Sequence, residues 1–299
     1  ETALKIEYDK EKRNVMKYIS YTLFFLYLHL AAGQVTVVED SLFSSSLNAT
    51  TKFYAILPDG YTKSQERYPA IYLLHGFGGN YTNWVKLTEI VKYAKQHNFI
   101  IITPDAKNSW YANSPVVPNA NYEDFIIKDV IPFVDNKYRT IQSKFYRAIA
   151  GLSMGGYGAA KFGIKYPGLF FFAGCLSPAI QFPAGMDDST IVIRRSKESN
   201  ESVKQMFGYP RNERWNENDV NVLLEKANSK SLPYFYLSVG SQDGITEIID
   251  LTHSFATALR KKGVSFEMHE TPGGHDWRFW DKEIEIILQR ITELSRKKR

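Results

Sequence analysis

The sequence predicts an α/β protein, a mostly parallel central sheet with helices on both faces. Two observations carry this. Runs such as Ile71-Tyr72-Leu73-Leu74 and Phe99-Ile100-Ile101-Ile102 are apolar at consecutive rather than alternate positions, as in strands covered on both faces. Between such runs lie longer stretches with apolar residues at helical spacing, and this alternation lays parallel strands side by side with helices above and below. Composition agrees: of 299 residues 44% are hydrophobic and 23% charged, which supplies a large core and excludes a disordered chain.

In chain order, strands are expected over 52–57, 70–74, 99–103, 147–150, 170–175, 234–239 and 265–269. Helices are expected over 87–96, 122–136, 157–165, 247–262 and 277–294. Gly263 stands just past the fourth helix, and the basic run Arg296-Lys297-Lys298-Arg299 follows the fifth, both ordinary helix stops. Residues 181–230 break the rhythm, being polar and rich in Asn, Arg and Glu. They read as an insertion over one edge of the sheet, or a lid. With no internal repeat or low-complexity linker, residues 34–299 are expected to form a single domain.

Ahead of it, Met16 and Lys17 precede an apolar run that ends in the small residues Ala31, Ala32 and Gly33, the layout of a secretory signal peptide. The run is shorter than the ~20 residues a spanning helix needs, so no membrane span is expected in the mature form. Residues 1–15 read as an N-terminal extension, cleavage as falling near Gly33, and the protein as secreted or periplasmic. Triplets of the Asn-x-Ser/Thr type at Asn48, Asn80 and Asn200 would matter only on a eukaryotic secretory route.

The formal charge is +5, but the excess sits at the two ends, in Lys10, Lys12, Arg13 and Lys17 and in the terminal basic run. A nucleic-acid surface would need a basic face interleaved with aromatics in the body of the domain, so no nucleic-acid partner is expected. One cysteine, Cys175, excludes an intramolecular disulfide and a thiolate zinc cluster. It ends an apolar run and reads as a small buried hydrophobe. No metal site is expected.

The chemistry is concentrated in Gly151-Leu152-Ser153-Met154-Gly155, which joins a strand to a helix. Such a turn is so sharp that side chains at Gly151 and Gly155 would collide with neighbouring backbone, and it lifts the serine hydroxyl clear of the sheet at a helix N-terminus. A serine needs a base, usually histidine, held by a carboxylate, in the order Ser, Asp or Glu, His. Of six histidines, His29 is in the leader and His75 precedes the serine. His97 lies at a helix end, His253 within a helix and His269 on a strand. His275, in Pro272-Gly273-Gly274-His275-Asp276-Trp277, follows the last strand and opens a helix. Asp243 directly follows the strand over 234–239, where open α/β sheets present side chains to a ligand crevice. Asp276 fits better as the helix N-cap, and Asp105, which precedes the serine, has a structural or substrate-loop role. The oxyanion formed on attack needs two donors. The Met154 amide is one, and the Phe77 amide, in the glycine-rich loop His75-Gly76-Phe77-Gly78-Gly79, is the other.

Together Leu73-Leu74-His75-Gly76-Phe77-Gly78-Gly79, Ser109-Trp110-Tyr111, Gly151 to Ala159 and Gly273-Gly274-His275-Asp276-Trp277 resemble the esterase D family, which includes feruloyl and acetyl xylan esterases, tributyrin-type esterases, S-formylglutathione hydrolases and mycolyltransferases. The resemblance runs from about residue 53 to 280. It implies an α/β-hydrolase fold, no cofactor, and a triad of Ser153, Asp243 and His275. The expected function is a secreted serine carboxylesterase working through an acyl-enzyme on acetyl or feruloyl esters of plant polysaccharide, a small-molecule or carbohydrate-linked substrate. Trp84, Trp110, Tyr111 and Trp277 are candidates for stacking on a sugar or aromatic acyl group, with core packing the alternative for each. Other readings are an S-formylglutathione hydrolase-type thioesterase, against which the leader argues, an acyltransferase, and a catalytically silent carbohydrate-binding domain of the same fold.

Overall fold

The computed structural model describes residues 35–186 and 197–296. The leader expected over 16–33 therefore lies outside the described residues. Eight strands run β1 (Thr36–Ser44), β2 (Ala49–Leu57), β3 (Ala70–Leu74), β4 (Ile100–Pro104), β5 (Arg147–Leu152), β6 (Phe172–Leu176), β7 (Tyr234–Gly240) and β8 (Phe266–Thr271). They form one sheet in the order β1-β2-β4-β3-β5-β6-β7-β8. From β4 to β8 every neighbouring pair is parallel, while β1 and β2 add an antiparallel end.

Successive residues of β3 show why the central strands read as continuous apolar runs. Ile71 and Leu73 pack into one layer with Trp84, Ile284 and Ile287. Tyr72 and Leu74 point into the other, with Ile149 and Phe162. Both faces of the strand are buried, so neither favours a charged side chain.

β1 has no counterpart in the strands expected from sequence. It is an edge strand whose residues other than Leu42 and Ser44 are at least partly exposed, and Glu39 and Asp40 interrupt its apolar pattern. The helices are α1 (Asn83–Leu87), α2 (Ile90–Ala94), α3 (122–137), α4 (Met154–Lys165), α5 (Lys197–Phe207), α6 (Glu213–Asn216), α7 (Val220–Lys226), α8 (Thr246–Lys262) and α9 (Trp277–Arg296). The single helix expected over 87–96 is instead two short ones. Thr88 is extended between them, and Asp281 of α9 accepts from the Glu89 amide at 2.7 Å and the Tyr93 hydroxyl at 3.0 Å, a tertiary anchor that local periodicity does not reveal. Within α3, Phe125–Val130 is wound as a π-helix, directly ahead of Pro132, which has no N–H to donate back along the helix.

The described part of the 181–230 section contributes α5, α6 and α7. Val203, Phe207, Trp215, Val220 and Leu224 are buried in the same layer as Tyr157 and Phe162. No helix among the described residues is long and apolar enough to cross a membrane.

Candidate active site

The turn between β5 and α4 is closed by contacts that only glycine allows. A Cβ on Gly151 would lie 2.5 Å from the Gly155 backbone, and one on Gly155 would lie 2.4 Å from the Leu74 carbonyl oxygen. Between them Ser153 takes φ 52° and ψ −115°, a left-handed-side conformation that is costly for a residue with a side chain. Hydrogen bonds hold both ends of the peptide: the Ser153 amide donates to Leu176 at 2.8 Å, and its carbonyl accepts from Tyr157 at 3.0 Å and Ala179 at 3.1 Å. The side chain is thus aimed by the backbone rather than by its own packing.

Asp243 enters from the loop after β7. Its Oδ1 accepts from the Ile245 amide at 2.9 Å, and its Oδ2 accepts from His275 Nδ1 at 2.8 Å. With Nδ1 donating to the carboxylate, the His275 Nε2 lone pair faces Ser153, whose Oγ lies 3.0 Å away. The Asp243 side chain is fully buried and that of His275 is 17% exposed, so the carboxylate is shielded while the imidazole borders open space. The two loops are joined, the Gln242 amide donating to the Gly273 carbonyl at 2.9 Å. The Trp280 ring stands at 85° to the His275 ring with 4.9 Å between centres. Asp276 Oδ1 accepts from the Phe279 amide at 3.1 Å, the N-cap role expected for it.

The amides of Phe77 and Met154 have no acceptor among the described residues. Met154 is the first residue of α4, where the N–H has no helical partner. Phe77 is held in a short loop. The Gly79 amide donates to the Gly76 carbonyl at 3.1 Å, and the Gly78 amide to Asn108 Oδ1 at 2.6 Å. His75 is buried beneath this loop. Its Nδ1 donates to the Gly76 carbonyl at 2.8 Å and its Nε2 accepts from the Ala106 amide at 3.0 Å. Burial lowers its pKa against the pull of Asp105, so it is a neutral scaffold residue.

Ser153 and His275 open into a cavity of about 370 Å³ lined also by Gly76, Phe77, Gly79, Asn83, Leu152, Asp276, Trp277 and Trp280. Of the aromatic candidates, Trp277 is half-buried and borders this cavity. The other three require a correction. Trp84 is fully buried, its indole N–H donating to the Leu74 carbonyl at 3.3 Å. Trp110 is closed over by Phe182, 4.2 Å between ring centres, and donates to Ser202 Oγ at 2.9 Å. Tyr111 is buried with its hydroxyl on the His75 carbonyl at 2.9 Å. None of the three leaves a ring face open, and packing accounts for them.

Trp280 and Asn83 border the cavity without having been singled out from sequence. The spacing of Trp277 and Trp280, one helical turn apart on α9, was the available signal for the first. Cys175 is buried and its thiol pKa is pushed up by burial, so it stays a thiol. Among the described residues no group of His, Cys, Asp or Glu is arranged to hold a metal ion.

A family model described as "Putative esterase" matches residues 44–291. The chain belongs to this esterase family. It is similar to an acetyl esterase of Caldicellulosiruptor saccharolyticus, 28% identical over 272 residues, which span 87% of this chain and 100% of that protein. Among solved structures it is similar to FphF, a fluorophosphonate-binding serine hydrolase of Staphylococcus aureus, at 25% identity and a TM-score of 0.75, over 88% of this chain and 99% of that one. A ferulic acid esterase matches at 25% identity and a TM-score of 0.72, again over 88% and 99%. As a member of the esterase family, the chain has the α/β-hydrolase fold and is a carboxylic ester hydrolase.

Proposed function

We propose that this chain is a secreted serine carboxylesterase that releases acetyl or feruloyl groups from plant polysaccharide through an acyl-enzyme. The observation that carries the reading is the hydrogen-bonded line from Asp243 through His275 to Ser153 Oγ at the wall of an open cavity. Ser153 Oγ attacks the ester carbonyl carbon as its proton passes to His275 Nε2, and Asp243 stabilises the imidazolium so formed. The carbonyl oxygen becomes an oxyanion between the Phe77 and Met154 amides, which no acceptor among the described residues occupies. When the intermediate collapses, His275 returns the proton to the departing alcohol oxygen, leaving the acyl group on Ser153. Water, deprotonated by His275, then attacks the acyl carbon, and the acid leaves as Ser153 recovers its proton.

The acyl choice draws on the acetyl esterase and the ferulic acid esterase to which the chain is similar. Trp277 beside the cavity suits a sugar or aromatic ring. Residues 34–299 act as one catalytic domain, with 181–230 shaping the selectivity and the leader over 16–33 directing export.

The test is a fluorophosphonate probe and p-nitrophenyl acetate on wild type and on Ser153→Ala, followed by assay of acetate and ferulate release from acetylated and feruloylated xylan. Labelling and turnover that vanish in Ser153→Ala support the mechanism. A folded wild type that neither labels nor turns over would reject it, and turnover without release from either xylan would reject the substrate.

A further inference from the structure

Behind the nucleophile turn lies a second polar cluster that the reaction above does not use. Lys161, on α4, is fully buried. Its ammonium donates to the Tyr111 carbonyl at 2.6 Å, to Glu123 Oε2 at 3.0 Å and to Asn218 Oδ1 at 3.0 Å. An ammonium has three N–H groups and accepts nothing, so this set is complete. Burial lowers the Lys161 pKa to about 8 against the opposing charge of Glu123. Such a buried ion pair is a poor way to gain stability, because apolar residues of similar volume often serve as well.

The contact to Tyr111 leads toward the site. Trp110 and Tyr111 are consecutive non-glycine residues at φ 52° and 49°, a conformation that L-residues avoid unless their surroundings impose it. Lys161 holds the carbonyl that follows. The Tyr111 ring lies against α4 at Gly158, where a Cβ would come within 2.7 Å of it. Its hydroxyl donates to the His75 carbonyl at 2.9 Å. His75 is therefore held at its carbonyl by Tyr111 and at its ring by the Ala106 amide, and the next residues are Gly76 and Phe77.

We propose that Lys161 and Tyr111 are positioning residues: from the helix that begins beside Ser153, Lys161 holds the Tyr111 carbonyl, and the Tyr111 hydroxyl in turn fixes the His75 carbonyl and so sets the Phe77 amide where the oxyanion will form. This rests on the serine-esterase reading above. In the stretch after His75 only Phe77 has a side chain to pack, 6.0 Å from Trp110 between ring centres, and the glycines on either side leave its backbone to be held through neighbours such as the His75 carbonyl. A donor stabilises a transition state only if it is already in place, and an error of about 1 Å can cost ~10²-fold in rate. Asn218, the third partner of Lys161, belongs to the 181–230 section, so that section is tied into the same support.

Tyr111→Phe tests this most cleanly, since it keeps the ring and the carbonyl that Lys161 holds and removes only the hydroxyl. With p-nitrophenyl acetate we expect kcat to fall about 10- to 100-fold while KM stays within about twofold. Affinity for a boronic acid, whose serine adduct places an oxygen anion in the same position, should fall in step with kcat. Lys161→Met should do the same where it folds, and the hydroxyl deletion carries the test where it does not. A purely structural role would lower the melting temperature of Tyr111→Phe but leave kcat and boronate affinity at wild-type values, and that result would overturn the inference alone. A wild type that fails to label with fluorophosphonate would overturn the serine reading, and this inference with it.

Discussion

Two hydrogen-bonded clusters flank α4, and they differ in how completely they are closed. In the Lys161 cluster all three N–H groups of the ammonium meet acceptors and the ammonium is shut away from solvent. In the line of Ser153, His275 and Asp243 only the carboxylate end is closed, and the serine end faces a cavity. A saturated network resists movement, because any shift exposes a buried unpaired group. A network with one open end keeps a proton and a lone pair available to an incoming substrate. The same bonding chemistry thus gives rigidity in one place and, on the proposed mechanism, reactivity in the other.

The sharpest way to break this comparison is to cut the open network. On the proposed mechanism His275→Ala should reduce kcat by about 10⁵- to 10⁶-fold on p-nitrophenyl acetate, and Asp243→Asn by about 10⁴-fold, since there serine and base would act as a unit while the carboxylate mainly orients the base. Removing the imidazole also leaves the buried Asp243 carboxylate with the Ile245 amide alone, so the melting temperature of His275→Ala should fall as well. An Asp243→Asn variant within tenfold of wild type would show that the carboxylate does not serve the imidazole.

How far each cluster could be read from the sequence follows from the reach of its signals. The turn at Ser153 is legible because its requirement is local, glycine at 151 and 155 around one serine. His275 and Asp243 are legible because each follows a recognisable strand. Lys161 shows nothing comparable. It sits in an otherwise apolar helix segment, and its partners Glu123 and Asn218 are 38 and 57 residues away, a separation at which no spacing rule applies. Trp84 and Trp110 fail for the same reason, since whether a tryptophan faces core or cavity depends on residues elsewhere, here Trp277 and Phe182. β1 is illegible because its apolar residues come as adjacent pairs, Val37-Val38 and Leu42-Phe43, split by Glu39-Asp40-Ser41, and so show neither alternation nor a continuous run.

The tryptophans turn that point into a second measurement, of intermediate size. Trp84→Ala empties a fully buried site and should cost about 3–5 kcal/mol of stability by denaturant unfolding, with a KM near wild type if the variant stays folded. Trp277→Ala acts in the opposite sense. Its ring borders the cavity, so KM for a feruloyl or sugar ester should rise about 10-fold while stability falls by less than for Trp84→Ala. If instead Trp84→Ala raised KM and left stability intact, the burial argument that removes Trp84 from the binding surface would be wrong.

The smallest expected effect probes the closed cluster through pH. Burial alone would raise the Glu123 pKa, but the charges of Lys161 and Lys165 and the hydrogen bonds from Lys165 and Tyr166 outweigh it and bring it from 4.5 to about 2. A carboxyl with a depressed folded pKa binds protons more readily in the unfolded chain, so its stabilisation is fully present above pH 4.5 and is lost as pH falls toward 2. Denaturant midpoints measured between pH 5 and 2.5 should therefore decline, with Glu123 contributing up to a few kcal/mol. Glu123→Gln should start from a lower midpoint at pH 7, because Lys161 loses its counter-charge, and decline less steeply over the acid range. Parallel profiles for the two proteins would mean that Glu123 titrates at its ordinary value, and that the cluster is looser than its closed set of contacts requires.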